Sequence, residues 1–217
     1  MNALPSDPDR DCEKCPRLRD FILQHRLENP EWHNAPVDTW VTSDGDDEVR
    51  LLITGLAPGL QGANRTGRPF TGDYAGDLLY ATLLKFGLAS GNYDAHPRDS
   101  LVLKSCAITN AVRCVPPGNK PVGSEINNCR PYLLNTIERF SNLSGIITLG
   151  KISHDSVVRA LGGKLSQHSF GHNKTYDVGG YRIFSSYHCS RYNTNTGRLT
   201  SSMFEDVIGK ARNFFAT

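Results

Sequence analysis

Four short apolar runs constrain the fold of this chain more than any other feature. Each is rich in β-branched residues, is about as long as one strand, and leads directly into glycine or polar residues. They are RLLIT at 50–54, SCAIT at 105–109, GIITL at 145–149 and YRIFS at 181–185. Segments with helical spacing separate them, at residues 77–86, 124–140 and 152–161. Because strands that alternate with helices build a parallel sheet covered on both faces, we predict an α/β fold.

The size of the chain favours a single domain that spans residues 1–217. Its 217 residues, 38% of them hydrophobic, can bury one core, and no repeat or linker divides them. Further helices are predicted at 16–26 and 200–214, Ser124 is the expected cap of its helix, and residues 44–48 indicate a solvated turn. No apolar run approaches the roughly 20 residues of a membrane span, and the N-terminal segment lacks a signal-peptide core. We therefore expect a cytoplasmic protein with no membrane partner.

Charge is distributed unevenly along the chain, although the net charge is only +2. Residues 1–100 carry 10 basic and 16 acidic side chains, whereas the remainder carries 14 basic and 6 acidic ones. Carboxylates are absent from residues 49–72, 100–124 and 178–204, and each of these stretches contains three basic side chains. If the stretches meet in space, they form a face that an anion can approach without repulsion. The alternative is chance clustering in loops that are poor in acids.

Polar or glycine residues follow all four predicted strands. The first strand leads into Gly-Leu-Ala-Pro-Gly at 55–59, the second into Asn110, the third into Gly150, and the fourth into Tyr187-His188. The carboxyl ends of parallel strands form the ligand crevice of an open sheet, so Asn110 and His188 are predicted to face one site. Taken singly, each has an ordinary structural explanation, since asparagine often ends strands in turns and most histidines are not catalytic.

Six cysteines in a chain without a secretion signal are not expected to form disulfides. Cys12 and Cys15 form a Cys-x2-Cys pair, and Cys114 and Cys129 lie beside prolines further along the chain. Four thiolates suit zinc or an iron–sulfur cluster, and the wide spacing of the second pair favours a [4Fe–4S] cluster. The alternative is four unrelated buried thiols.

Four motifs together resemble the family-5 (type b) uracil-DNA glycosylases. They are GLAPG at 55–59, GANRTGRPFTGD at 62–73, TNAVRCVPP at 109–117 and YHCSRYNTNTGRLT at 187–200. The resemblance implies a three-layer αβα fold with a central four-stranded parallel sheet, and a [4Fe–4S] cluster at Cys12, Cys15, Cys114 and Cys129. It also implies a monomeric, monofunctional DNA glycosylase that removes uracil, hypoxanthine and xanthine from duplex DNA in base excision repair. One departure is Cys189, where the family commonly has a proline that would fix the backbone of this loop.

Cleavage of an N-glycosidic bond develops a sugar cation and a base anion, so the site must stabilise both charges and position a water. Asp73 is suited to hold the water or to face the sugar, and His188 to donate a hydrogen bond to the base oxygen. Asn110 can read the edge of a flipped base, and Phe70 can stack on it. The resemblance assigns the same broad roles and leaves open whether Asp73 or Asn110 positions the water, since Leu56 cannot activate it.

Two further sets of residues are predicted around this chemistry. The base-binding set is Gly55, Ala57, Gly59, Phe70 and Asn110, and the DNA-binding set is Asn64, Arg65, Ser190, Arg191 and Tyr192. The ordinary alternative for the second set is a polar surface loop. Two other functions remain open, namely a non-catalytic DNA-damage-binding iron–sulfur module and a glycosylase that acts mainly on deaminated purines or abasic-site DNA.

Overall fold

The computed structural model describes residues 5–215, in which strands and helices alternate along the chain. The strands are β1 (Trp40–Val41), β2 (Leu51–Gly55), β3 (Ala89–Ser90), β4 (Val102–Leu103), β5 (Cys106–Asn110), β6 (Gly145–Leu149), β7 (Thr175–Val178) and β8 (Tyr181–Ser186). The helices are α1 (Pro16–Glu28), α2 (Ala63–Thr66), α3 (Tyr74–Lys85), α4 (Gly123–Arg139), α5 (Lys151–Ala160), α6 (Arg191–Asn195) and α7 (Ser201–Phe215). Within this described part of the chain, no helix is both long and apolar enough to cross a bilayer.

Four parallel strands form the centre of a six-stranded sheet, in the order β1-β5-β2-β6-β8-β7. In the middle of the sheet Ile53 lies opposite Ile108 on one side and Ile147 on the other. The predicted parallel sheet is confirmed, and each predicted strand agrees with the structure to within one residue at either end. The two outer strands, β1 and β7, pair antiparallel and were not predicted, because one has only two residues and the other is largely polar.

Helices cover both faces of the sheet and make a three-layer αβα arrangement. Alternate residues of each central strand point to opposite faces, as the neighbours Leu51 and Leu52 of β2 illustrate. On the first face, α3 and α7 pack through Leu79, Leu83, Phe204 and Ile208. On the second face, α4 and α5 pack through Leu133, Ile137, Val157 and Val158. Burial of both faces explains why the central strands are continuously apolar.

The cap of α4 differs from the sequence prediction. The helix begins at Gly123 with Val122 as its N-cap residue, so Ser124 lies inside the first turn. The carboxylate of Glu125 accepts a hydrogen bond from the Val122 backbone N–H at 2.8 Å and also pairs with Arg17. The reciprocal half of a capping box therefore stabilises this helix start, without a serine hydroxyl at the N-cap.

The N-terminal segment is attached to the rest of the molecule by polar contacts between residues far apart in sequence. Arg113 is fully buried, and its guanidinium donates to the Asp7 carboxylate at 2.6 Å and to the Thr136 hydroxyl at 2.7 Å. Arg17 of α1 donates to both carboxylate oxygens of Glu125. These contacts bring the region before α1 onto the chain that follows β5 and onto α4.

Candidate active site

A cavity of about 360 Å³ opens at the carboxyl ends of β2 and β5. Residues from all three carboxylate-free stretches meet in its wall. The lining residues are Leu56, Ala57, Pro58, Gly59, Ala63, Phe70, Asp73, Tyr74, Ala75, Asn110, Asn119, His188, Ser190 and Arg191. The volume falls within the range of about 300–1,000 Å³ typical of small-molecule sites. The cavity therefore lies where the crevice rule for parallel sheets places a ligand site.

Asp73 lies at the N-cap of α3, where its side chain has two different environments. One carboxylate oxygen accepts hydrogen bonds from the backbone N–H groups of Ala75 and Gly76, at 3.1 and 3.3 Å. The other lies close to the glycine loop, because a Cβ added to Gly62 would lie 2.4 Å from it. Burial raises the pKa of Asp73, the two backbone bonds oppose the rise, and the negative charge of Asp77 adds to it. The cap thus fixes the side chain and leaves the second oxygen available for another partner.

Asn110 ends β5 and is 3% exposed at the floor of the cavity. A Cβ on Gly55, its partner across the sheet, would lie 2.4 Å from the Asn110 Oδ1 and 2.5 Å from the Phe70 ring. Gly55 does not line the cavity; its missing side chain leaves the space that these two groups occupy. The structure therefore places Asn110 and Phe70 together because β2 ends in glycine.

The rings of His188 and Phe70, which both line the cavity, stack on one another. Their ring centroids are 5.9 Å apart and the interplanar angle is 29°. Burial lowers the pKa of His188 to about 4, so the imidazole is neutral near neutral pH. Its Nδ1 is buried and has no hydrogen-bond partner among the described residues. Cys189 is fully buried in the core on the α3 and α7 face, so packing holds the loop at the position of the family's proline.

Two polar residues of the wall were missed by sequence reasoning. Asn119 lies in a left-handed conformation (φ of 57°) at the end of a 3-10 turn, Pro117–Asn119, and its side chain is exposed at the cavity rim. Tyr74 is the first residue of α3. The dipeptide Pro-Gly at 117–118 signals a turn, but nothing in the sequence indicates that this turn folds back onto the cavity.

The predicted DNA-binding residues separate into three groups. Ser190 and Arg191 line the cavity, with the Arg191 guanidinium 5.2 Å from the centre of the Tyr74 ring, and Tyr192 beside them is 73% exposed. Arg65 is exposed but lies outside this cavity, in a second groove on the other side of α2. The prediction that Asn64 binds DNA is wrong, because the residue is fully buried and its amide donates to Asn34 Oδ1 at 2.8 Å. It supports the loop and cannot reach DNA.

The four cysteines predicted to act as ligands lie together beside α1 and α4. Cys12, Cys15, Cys114 and Cys129 all line one small cavity, with Leu18, Val112 and Tyr132 around them. The Arg113 backbone N–H donates to the Cys129 sulfur at 3.3 Å, and the Asn128 amide to the Cys15 sulfur at 3.8 Å. Within residues 5–215 there is no group of three or more His, Cys, Asp or Glu side chains that could hold a metal ion.

A family model and several known proteins match most of the chain. The family model of the uracil DNA glycosylase superfamily matches residues 42–212. A type-5 uracil-DNA glycosylase of Thermus thermophilus is 38% identical over 208 residues, which cover 93% of this chain and 92% of the relative. A type-5 enzyme of Pyrobaculum aerophilum is 34% identical, covering 92% and 87%, and a type-4 enzyme of Saccharolobus solfataricus is 30% identical, covering 94% and 83%. The chain therefore belongs to the uracil-DNA glycosylase superfamily, and the predicted resemblance to its type-5 members is confirmed.

Proposed function

We propose that this protein is a monofunctional, monomeric DNA glycosylase that hydrolyses the N-glycosidic bond of uracil, hypoxanthine and xanthine in duplex DNA and so initiates base excision repair. One observation carries the proposal: Asp73, Asn110, His188 and Phe70 all line one cavity at the carboxyl ends of the parallel strands. Binding alone would need neither a half-buried carboxylate nor a neutral imidazole beside it. The names of the relatives support the same reaction class.

The water step falls to Asp73 in this proposal. Its capped oxygen is occupied by two backbone N–H groups, so the second oxygen holds the attacking water or faces the sugar cation. This half-buried carboxylate is a stronger base than a fully exposed one, because partial burial raises its pKa. Asn110 remains the alternative for positioning the water, since its Oδ1 also lies at the cavity floor.

Recognition of the base combines stacking with hydrogen bonds. Phe70 supplies the ring face, and the Asn110 amide offers two donors and one acceptor to the base edge. His188 donates to the base oxygen where negative charge develops, and its low pKa keeps it a neutral donor that does not transfer its proton. Ala57 and Gly59 bring the loop backbone to the same cavity. This amide and imidazole set is not restricted to pyrimidines, which supports activity on deaminated purines.

DNA docking uses the loop that follows His188. Extrusion of a base from the duplex costs a few kcal/mol, less at a mismatched or damaged pair, and a side chain can fill the vacated stack. Tyr192 is exposed and adjacent to cavity residues Ser190 and Arg191, so it is the best-placed wedge. Because the surrounding stretches lack carboxylates, affinity for DNA should fall steeply as salt rises, and a flat salt dependence would contradict this docking.

We also propose that Cys12, Cys15, Cys114 and Cys129 hold a [4Fe–4S] cluster. No three side chains among residues 5–215 converge on a single metal ion, but the donor set fits a cluster, because each thiolate binds a different iron and all four thiols line one cavity. N–H groups point at two of the sulfurs. When bound, the cluster would crosslink the region before α1 to α4, and hydrolysis requires no electron from it. A brown protein that contains iron and absorbs at about 400 nm would support the proposal, whereas a colourless protein that contains zinc would reject it. Cys114→Ala should lower stability before it changes the chemistry.

The decisive experiment incubates excess purified protein with duplexes that carry uracil, hypoxanthine, xanthine or an abasic site, and then cleaves the products with alkali. Excision from the uracil duplex supports the proposed function, and the ratio of rates ranks the deaminated purines. Binding without excision on every duplex would reject it in favour of a damage-binding module. Excision of hypoxanthine or xanthine alone would replace it with a purine-directed glycosylase.

A further inference from the structure

Phe70 stands in a backbone conformation that a bulky residue rarely adopts. Its φ is 52°, in the left-handed region, and conformations of this kind persist only where the surroundings hold them. The ring is 6% exposed and lies nearly parallel to His188. The proposed stacking face therefore depends on whatever holds this backbone in place.

Side-chain hydroxyls hold three consecutive carbonyl groups around Phe70. Tyr80 of α3 donates to the Pro69 carbonyl, Tyr93 donates to the Phe70 carbonyl at 3.3 Å, and Thr66 donates to the Thr71 carbonyl at 3.0 Å. Burial raises the pKa of Tyr93 to about 12, so its hydroxyl remains a donor at physiological pH. Each peptide unit on either side of Phe70 is thus fixed by its own donor.

A buried ion pair attaches the same loop to the segment that contains Tyr93. The Arg68 guanidinium donates to both carboxylate oxygens of Asp99 at 2.7 Å, and its Nε donates to the Thr71 hydroxyl at 2.7 Å. The Asp99 carboxylate also accepts from two backbone N–H groups of its own segment. The guanidinium lies 4.6 Å from the centre of the Trp40 ring, so the pair is held between aromatic rings. Because the pair makes two parallel hydrogen bonds, it fixes both the orientation of the Phe70 loop and its distance from the 93–99 segment.

We propose that Tyr93, together with the Arg68–Asp99 ion pair, is a positioning element that holds Phe70 in its left-handed conformation and so places the stacking face for the flipped base. This proposal rests on the proposed glycosylase function. Neither Tyr93 nor Asp99 lines the cavity, so both act through Phe70. The segment at residues 93–99 thereby has a role in base recognition although it does not touch the base.

The test is a double-mutant cycle of Tyr93→Phe and Phe70→Leu, measured as single-turnover uracil excision over a range of enzyme concentrations. Tyr93→Phe removes one hydrogen bond, and the maximal rate should fall between about threefold and tenfold, with the half-saturating enzyme concentration unchanged. In the Phe70→Leu background the same substitution should change the rate by less than about 1.5-fold, because its effect passes through the missing ring. An equal loss in both backgrounds would overturn the proposal.

Tyr176→Phe is the matched control, since the Tyr176 hydroxyl also donates to a backbone carbonyl, that of Ser169, but outside the cavity. Its rate should remain that of the wild-type protein, and a comparable loss there would overturn the proposal. If Tyr93→Phe fails to fold, Asp99→Asn takes its place in the same cycle with the same expectations. If the wild-type protein excises no base, the proposed function fails first and this proposal with it. Normal wild-type excision with additive losses rejects the positioning role alone.

Discussion

Two walls of the cavity are built in different ways. The wall at residues 66–73, which carries Phe70 and Asp73, is held from outside by hydroxyls of α3 and the 93–99 segment and by the Arg68–Asp99 pair. The wall at residues 188–192 is held by the packing of Cys189 in the core and by hydrogen bonds that are mostly local. The Ser190 hydroxyl caps the short helix α6, and the Asn193 amide donates to the His188 carbonyl at 2.8 Å. We call them the clamped wall and the open wall.

The way each wall is held matches a different function, catalysis for the clamped wall and DNA binding for most of the open wall. Groups that stabilise a transition state must be held in place before substrate arrives, whereas groups that follow a bent duplex can adjust to it. Within the open wall, burial changes over four residues: the His188 Nδ1 is buried, whereas Tyr192 is 73% exposed. Substitutions in the clamped wall and at His188 should therefore change the rate, and substitutions beyond His188 should change affinity.

The largest effect is expected at His188. His188→Ala removes the donor to the base oxygen, and removal of one such donor typically slows catalysis by about 10²–10³-fold. The measurement is the single-turnover excision rate at saturating enzyme. His188→Gln keeps an N–H donor that does not titrate, so it should lose less activity than the alanine variant. Equal losses in both variants would remove the hydrogen bond from the mechanism.

Asp73→Asn should lower the excision rate by about tenfold or more, with DNA affinity changed only a few fold. Asparagine also caps helices, so the bonds to Ala75 and Gly76 can remain. Because the pKa of Asp73 is raised in the folded protein, its ionised form opposes folding at neutral pH, and this penalty falls as the pH drops through the raised pKa. The melting temperature of the variant at neutral pH should therefore be unchanged or higher. An unchanged rate would exclude Asp73 from the water step.

The same shift predicts the pH dependence of the reaction. If the Asp73 carboxylate is the base, activity should fall as the pH drops through its pKa, which burial raises above the ordinary value for an aspartate. The pKa of His188 is lowered to about 4, so this residue should not add a limb to the pH–rate profile near neutrality. The residual activity of Asp73→Asn should lack the acid limb, and a limb that persists in this variant would assign it to another group.

Gly76→Ala tests how closely helix α3 must pack against the clamped wall. A Cβ at this position of α3 would lie 2.0 Å from the Phe70 carbonyl oxygen and 2.4 Å from the Tyr93 hydroxyl. Alanine normally favours a helix over glycine, but this contact should destabilise the protein by about 1–3 kcal/mol and slow excision several fold. Gly123→Ala at the start of α4 is the control, because its Cβ would meet nothing within 4 Å. Melting curves and single-turnover rates of the two variants decide the comparison.

The smallest effect is expected from Tyr192→Ser in the open wall. Loss of one stacking contact with a base is worth about 1 kcal/mol, which weakens DNA binding about fivefold. The maximal excision rate should remain within about twofold of the wild type. Leu27→Ser, which replaces a side chain that is 86% exposed on α1, controls for the loss of exposed apolar surface. A lower maximal excision rate with unchanged DNA affinity would instead assign Tyr192 a role in catalysis.

The central sheet could be predicted closely because its strands are buried on both faces and therefore form unbroken apolar runs. The short strand Trp40–Val41 leaves no such pattern, and β7 is polar because it lies at the edge. The place of the cavity followed from parallel topology, which brings strand ends together whatever lies between them. Sequence reasoning could thus find Asn110 and His188 at one site.

The supporting residues could not be predicted, since their partners lie in other parts of the chain. Tyr93 and Asp99 belong to a mostly polar, exposed segment whose neighbours are set by tertiary contacts. Asn64 was assigned to DNA because polar residues in loops usually face solvent, but Asn34 satisfies its amide within the protein. Asn119 was missed because a turn signal gives the local bend and not the direction in which the chain returns.

The contacts of the N-terminal segment have a consequence for the order of folding. Asp7 and Arg113 are 106 positions apart, and Arg17 and Glu125 are 108 apart. Closure of loops of this length is entropically unfavourable until the intervening chain is already ordered, so this segment docks after the sheet has formed. Since none of these bonds is made by a residue of the parallel strands, the segment can also detach by local opening while those strands remain paired. Proteolytic cleavage near α1 would then report on the attachment of this segment rather than on the integrity of the catalytic cavity.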